Sequence, residues 1–240
     1  MSIIKILRNT STTMIRAPLL WFFSGVAVIT SYFTSPGRNP TIWLLCLSLL
    51  LIPVTVLAQA GQIRAVQLHH EGSHTSISQI IRYSADRMSP LIVVMLAGLM
   101  LFYGIAIPLW NLARLLLPQP PRPEVMVLIN IISMLIASTL MAFAQCGIVI
   151  SDIKLGVSLP MVFRVLRNAA LTVVTIVAVF IFLRYFVSIL FPVRADNPAQ
   201  LTGYLLALLI VETTQSALFT FTYLQFVQGT QQITRGNPDD

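Results

Sequence analysis

The phrase LAQAG at residues 57–61 returns as FAQCG at residues 143–147. Each stands at the end of an apolar run and puts a glutamine and a glycine beside a polar stretch of chain. The runs around these phrases set the fold class. Six stretches (18–35, 41–60, 90–116, 125–150, 169–190 and 201–226) are apolar over about the 20 residues a helix needs to cross a bilayer. In hydrocarbon every backbone N–H and C=O must be paired within the chain, so these runs read as helices. Composition agrees. Of 240 residues, 56% are hydrophobic and only 10% charged, against about 25% charged in soluble domains, and mean hydropathy is +0.84. The expected fold is all-α: a polytopic transmembrane bundle of six helices, forming a single integral membrane domain over residues 1–240.

Lys and Arg number 15 against 8 acids. That excess does not read as a nucleic-acid surface, because the cations sit at the ends of runs and not in one patch with exposed aromatics. They follow the positive-inside pattern instead. With the N-terminus in the cytoplasm, Lys5, Arg8, Arg16, Arg64, Arg82, Arg87, Lys154, Arg164, Arg167 and Arg235 lie inside, and Arg38, Arg114, Arg122, Arg184 and Arg194 lie in the outer half. Both termini are therefore expected to be cytoplasmic. Trp21, Trp43 and Trp110 fall near the ends of runs, where an amphipathic ring suits the headgroup level. The first 16 residues carry three cations and no small-residue cleavage site before a full-length run, which reads as a retained first helix. Cys46 and Cys146 fall at opposite depths, about 20 Å apart along helix axes, too far for a disulfide.

The likeness of the two phrases extends beyond the glycine. SISQIIRYSADRMSPLIVV (76–94) and SLPMVFRVLRNAALTVV (158–174) match Ser76 with Ser158, Ile77 with Leu159, Ile81 with Phe163 and Arg82 with Arg164. KILRNTSTTMIRAPLL (5–20) shares ILRN with VLRN at 165–168, and FVQGTQQITR (226–235) again sets glutamine and glycine before a basic residue. The chain therefore reads as three tandem helical hairpins of like orientation, about 1–61, 75–147 and 157–229. Each opens on a cationic amphipathic connector at the cytoplasmic side. Gln59, Gly61, Gln145 and Gly147 then mark the exits of returning helices, with glutamine bonding at the boundary and glycine allowing close packing or a turn. In the connectors, Ile77, Ile80, Ile81 and Ser84 share one face, as do Leu159, Val162, Phe163 and Leu166. That spacing suits helices lying in the interface, with Arg82, Arg87, Arg164 and Arg167 placed to meet lipid headgroups.

Over 56–94 and 142–180 this order of apolar helix, small-residue exit, amphipathic connector and next apolar helix resembles bacterial six-helix membrane families. Among them is the membrane domain fused to some glycerophosphodiester phosphodiesterases. The resemblance implies a bacterial inner-membrane protein of unassigned or accessory role. The hydrolase part of such fusions is absent from these 240 residues, so no catalytic residue carries over.

Two charges fall within apolar runs, Arg184 and Glu212. An isolated charge at the centre of a span costs about 2.5–3.5 kcal/mol on insertion scales, so such groups face the bundle or a cavity. Glu212 heads a polar stripe with Ser216, Thr220 and Tyr223, and Gln215 lies beside it. One reading is a polar pathway or binding pocket; the other is an ion pair and polar contacts that fix helix packing. LHHEGSH (68–74) puts His70 and His74 four apart, but Gly72 interrupts them and no HExxH accompanies them. It reads as a solvated loop, and no metal site is expected. PQPPRPE (118–124) reads as a stiff outer loop, and Pro53 and Pro108 as helix bends.

The chain holds no P-loop, GxSxG, HExxH or paired-aspartate motif, so neither enzyme activity nor a cofactor is expected. The function expected first is a non-catalytic accessory or scaffolding component of a membrane complex. The alternative is a permease subunit with a polar path around Glu212 and Arg184. Its partners are membrane lipids, with other membrane subunits or a cytoplasmic ATPase docked on the connectors.

Overall fold

The computed structural model describes residues 3–34, 42–73, 75–117, 123–152, 173–187, 189–190 and 198–235. They form eight helices and no strand: α1 (Ile3–Arg16), α2 (Pro18–Thr34), α3 (Ile42–His70), α4 (Ile77–Asp86), α5 (Met88–Leu116), α6 (Pro123–Ser151), α7 (Val173–Val187) and α8 (Pro198–Arg235). The all-helical expectation holds, whereas the count of six spanning helices does not. Among the described residues three helices are long and apolar enough to cross a membrane: α5, 124–151 of α6 and 198–226 of α8. Two further apolar helices fall short of that length as described. The described part of α7 has 15 residues, about 22 Å of helix, against a hydrocarbon core of about 30 Å. α2 is 17 residues long, and taken with α1 it passes only as a pair bent by 88°. α3 is 29 residues long, apolar from Ile42 to Ala58 and polar in its second part, with Gln59, Gln62, Arg64, Gln67, His69 and His70.

The bend follows from sequence. Pro18 has no N–H to continue α1, but its fixed φ suits the first position of a new helix. Ala17 N–H still reaches Thr13 O at 2.9 Å, and Leu20 N–H reaches back to Ala17 O at 3.1 Å. Trp21 Nε1 then donates across the elbow to Met14 O at 2.6 Å. α1 buries Ile6, Thr10 and Thr13 and exposes Arg8, Ser11, Thr12, Ile15 and Arg16, the stripe of an amphipathic helix.

α2 packs along α3, and α5 packs along α6. α8 crosses α1, α2, α3 and α6 and supplies both buried clusters. Phe219 and Tyr223 join Phe143, Val149, Val173 and Leu91 in one. Ala217, Leu218 and Phe221 join Leu20, Phe23, Val66 and Phe180 in the other. Its buried Thr213, Thr220 and Thr222 hydroxyls donate to their own i−4 carbonyls, Leu209 O, Ser216 O and Leu218 O. Thr213 and Thr222 thereby need no partner from another helix, while Thr220 also meets Cys146 of α6. The outer surface is apolar: α5 exposes Leu96, Leu99, Met100, Tyr103 and Ile107, nearly one turn apart along one face.

The glutamine–glycine phrases are not helix exits, which corrects the sequence reading of Gln59, Gly61, Gln145 and Gly147. α3 runs on to His70 and α6 to Ser151. A single glycine costs about 1 kcal/mol in a helix interior, too little to end one held by packing. The true end of α3 lies in the histidine stretch. Gly72 takes φ +69°, Ser73 N–H bonds Leu68 O at 2.9 Å and Gly72 N–H bonds His69 O at 3.2 Å. Those are the two bonds of a glycine-terminated helix end. His69 and His70 therefore belong to the last turn of α3 and not to a loop, with the His70 ring 5.6 Å from that of Phe221. Pro53 and Pro108 lie inside α3 and α5 without ending them.

The amphipathic connector at 77–86 is present as α4. Ser76 and Gln79 cap it reciprocally, Gln79 N–H to Ser76 Oγ at 3.4 Å and Ser76 N–H to Gln79 Oε1 at 3.3 Å, which satisfies two otherwise orphaned donors. Ile80 and Ser84 are buried, while Ile77 and Ile81 are exposed. The connector at 158–166, the loop at 118–122 and the side chains of Trp43 and Cys46 lie outside the described residues.

Candidate functional site

Gln59 stands on α3 and Gln145 on α6, each facing the centre of the bundle. Gln145 Nε2 donates to Gln59 Oε1 at 3.0 Å. The two copies of the phrase thus meet side chain to side chain. One turn along α3, Gln62 is buried and its Nε2 donates to Ser24 Oγ on α2 at 3.1 Å. Gly61 makes this approach possible. A Cβ at that position would lie 2.5 Å from the buried Phe23 ring of α2, closer than packed atoms come. Gly147 is buried within α6.

These glutamines line a cavity of about 170 Å³. α3 contributes Gln59 and Gln62; α6 contributes Ser138 and Gln145; α7 contributes Arg184; α8 contributes Glu212, Gln215 and Ser216. Ile63, Met141, Val177 and Phe219 supply apolar wall between them. The Arg184 Nη2 donates to Glu212 Oε2. Glu212 is largely covered, with 17% of its side chain exposed, and Arg184 reaches the cavity from a more open position, at 38%. Gln215 Oε1 is buried with no hydrogen-bond partner. An acceptor buried beside polar space without a partner costs about 1–3 kcal/mol unless something in that space donates to it. By volume the cavity holds about five waters or one small polar solute.

The sequence treated Gln59 and Gln145 as one feature and Arg184 with Glu212 as another. The structure joins them. It also splits the expected stripe on α8. Glu212, Gln215 and Ser216 line the cavity, but Tyr223 Oη instead pairs with Ser151 Oγ at 2.9 Å, and Thr220 folds back on its own helix. Gln62 and Ser138 were missed. Both were findable: Gln62 is one turn from Gln59, and Ser138 is two turns from Gln145, on the same helix faces.

The connector cations part company. Arg82 is exposed, as a headgroup contact requires. Arg87 is not free for lipid. Its Nη2 bonds Asp152 Oδ1 at 2.8 Å, and only 18% of its side chain is exposed. Arg64 and Arg87 both lie over the Tyr83 ring, 4.3 and 3.7 Å from its centroid, while Tyr83 Oη donates to Val149 O at 2.7 Å. This cluster ties α3, α4, α5 and α6 together at one end of the bundle. Arg164 and Arg167 lie outside the described residues. Nearby, burial and then the Arg16 and His70 charges lower the His69 pKa from its ordinary 6.5. Cys146 is a buried free thiol. Among the described residues no group of three or more His, Cys, Asp or Glu side chains is placed to hold a metal ion.

No family model, curated protein or solved structure matches the chain, so the resemblance to six-helix membrane families gains no support from them.

Proposed function

We propose that this is a multi-pass bacterial inner-membrane protein that binds a small polar solute or ion inside its bundle, as a permease subunit does. One observation carries the reading: four helices turn polar groups into one cavity that ends on the Arg184–Glu212 pair, with the Gln215 carbonyl left for an incoming donor. Helix packing alone needs polar groups bonded to one another, and a partnerless acceptor beside open space exceeds that need. Charged groups in apolar helices are retained where they line a pathway or a site. The cation distribution and the apolar outer faces support a multi-pass arrangement with cytoplasmic termini. Three tandem hairpins remain our reading of the repeated phrases.

The test is flux in proteoliposomes under an imposed ion or proton gradient, wild type against Glu212→Gln. Flux abolished with fold and yield intact supports the permease reading. No flux in either protein, together with a lowered melting temperature for the variant, returns the cavity to a packing role. The protein would then be the accessory component of a membrane complex.

A further inference from the structure

A second cavity, of about 580 Å³, lies where the elbow between α1 and α2 meets the end of α3 and the start of α4. This is within the 300–1,000 Å³ range of ligand pockets. Its lining divides by chemistry. Arg16, His69, Ser73 and Ser76 contribute polar groups to it, and residues such as Leu19 and Leu68 contribute apolar surface. Among the described residues no carboxylate lines it. The nearest in sequence, Glu71, accepts a hydrogen bond from Gln67 Nε2 at 2.8 Å, and Gln67 Oε1 in turn accepts from Arg64 at 2.7 Å. The charge facing the cavity is therefore positive. The Ser76 hydroxyl accepts from Gln79 N–H and keeps its own proton to donate.

Position narrows the ligand. The 88° bend turns the amphipathic α1 across the axis of α2, and the cavity includes Pro18 and Leu19, where the apolar run of α2 begins. In a membrane-embedded chain, the start of such an apolar run is where headgroups give way to acyl chains. We infer that this cavity binds the phosphate of an anionic phospholipid, with Arg16 supplying charge, His69, Ser73 and Ser76 supplying hydrogen bonds, and the apolar surface receiving the glycerol end of the chains. The inference rests on the membrane-embedded part of the reading above and not on the solute cavity. Phosphate bonds of this kind are charge-assisted and strong, and Arg16 is near enough to His69 to act on its proton affinity. Arg16 and His69 line the same cavity, so one anion can meet both groups.

The full chain is reconstituted in nanodiscs of phosphatidylcholine alone or mixed with phosphatidylglycerol. Lipid retained after mild detergent extraction is counted by native mass spectrometry. Failure to enter either nanodisc overturns the membrane reading and this site with it. The expected result is selective retention of phosphatidylglycerol, falling about tenfold in Arg16→Gln and in His69→Gln, the scale of one charge-assisted hydrogen bond. Arg8→Gln, on the exposed face of α1 and away from the cavity, is expected to retain lipid as wild type does. Equal loss in Arg8→Gln overturns the site in favour of diffuse surface attraction, as does equal retention in all four proteins. A melting shift with inorganic phosphate that the two cavity variants lose, without selectivity for phosphatidylglycerol, keeps the site and assigns it to a soluble phosphate.

Discussion

Two arginine–carboxylate pairs tie distant parts of this chain together, and their surroundings are opposite. Arg184 and Glu212 meet inside the bundle between apolar walls, where the carboxylate is largely shielded from solvent. Arg87 and Asp152 meet at the end of α6, with 76% of the Asp152 side chain exposed. In solvent an ion pair is screened and contributes about 0–1 kcal/mol. Among apolar helices, separating the partners strands a charge. The same chemistry therefore fastens one end of the bundle weakly and makes its centre intolerant of single substitutions.

The largest expected effect follows from that difference. Glu212→Leu removes the carboxylate that Arg184 meets and is expected to cost about 2–3 kcal/mol, the scale of a hydrogen bond to a charged group. The double substitution Arg184→Leu, Glu212→Leu removes both charges and is expected to recover most of that loss. Unfolding by denaturing detergent measures both; a double variant as unstable as the single one would break the contrast between centre and end. Next comes Gly61→Ala. The added methyl meets the Phe23 ring at 2.5 Å, so overpacking of about 1–3 kcal/mol is expected. Gly25, on α2, has nothing within 4 Å of the equivalent position, and Gly25→Ala is expected to be neutral or slightly stabilising. Equal effects at the two glycines would show that the α2–α3 approach is not set at Gly61.

How far the sequence was legible depends on the range of the signal. The apolar runs and the periodicity of 77–86 are local, and they foretold an all-helical chain with an amphipathic connector at α4. The repeated phrase was visible too, but its meaning was not. Glutamine and glycine at the edge of an apolar run read as an exit because a helix end is where such residues gather. What kept α3 helical to His70 is tertiary: Gly61 is shielded by Phe23, and Gln62 is matched to Ser24 on the neighbouring helix. The pairing of Gln59 with Gln145 spans 86 positions, and no periodicity reports such a contact. Arg87 looked like a headgroup contact because Asp152 is 65 residues away. By contrast Arg184 and Glu212 were found at once, since a charge in an apolar run stands out wherever its partner lies.

Smaller effects sharpen the same contrast. Gln59→Leu and Gln145→Leu each remove one partner of a bond whose kind averages about 0.6 kcal/mol between helices in membranes. A double-mutant cycle is expected to return a coupling of that size. A coupling near zero would mean that solvent in the cavity already satisfies both amides. Asp152→Asn, which keeps a residue suited to the φ of 51° at that position, is expected to cost less than about 1 kcal/mol and to do so only at low salt. A loss as large as that of Glu212→Leu, persisting at high salt, would erase the distinction between the two pairs.

The smallest effect belongs to pH, and it too should separate the end of the bundle from its centre. His69 stands at the solvent-facing end of α3, and its pKa is lowered from 6.5 first by burial and then by Arg16 and His70. The folded protein thus takes up this proton less readily than the unfolded chain. Above about pH 6.5, the ordinary histidine value, both states hold the group neutral and it leaves stability unchanged with pH. As pH falls below that value the unfolded chain gains the proton first, so stability is lost progressively until the folded state is protonated as well. Melting in neutral lipid between pH 8 and pH 5.5 is expected to fall further for wild type than for His69→Gln, with Arg16→Gln between them, because it removes the second of the lowering influences and leaves burial in place. Identical pH dependence in wild type and His69→Gln would place the His69 environment in water and detach it from Arg16.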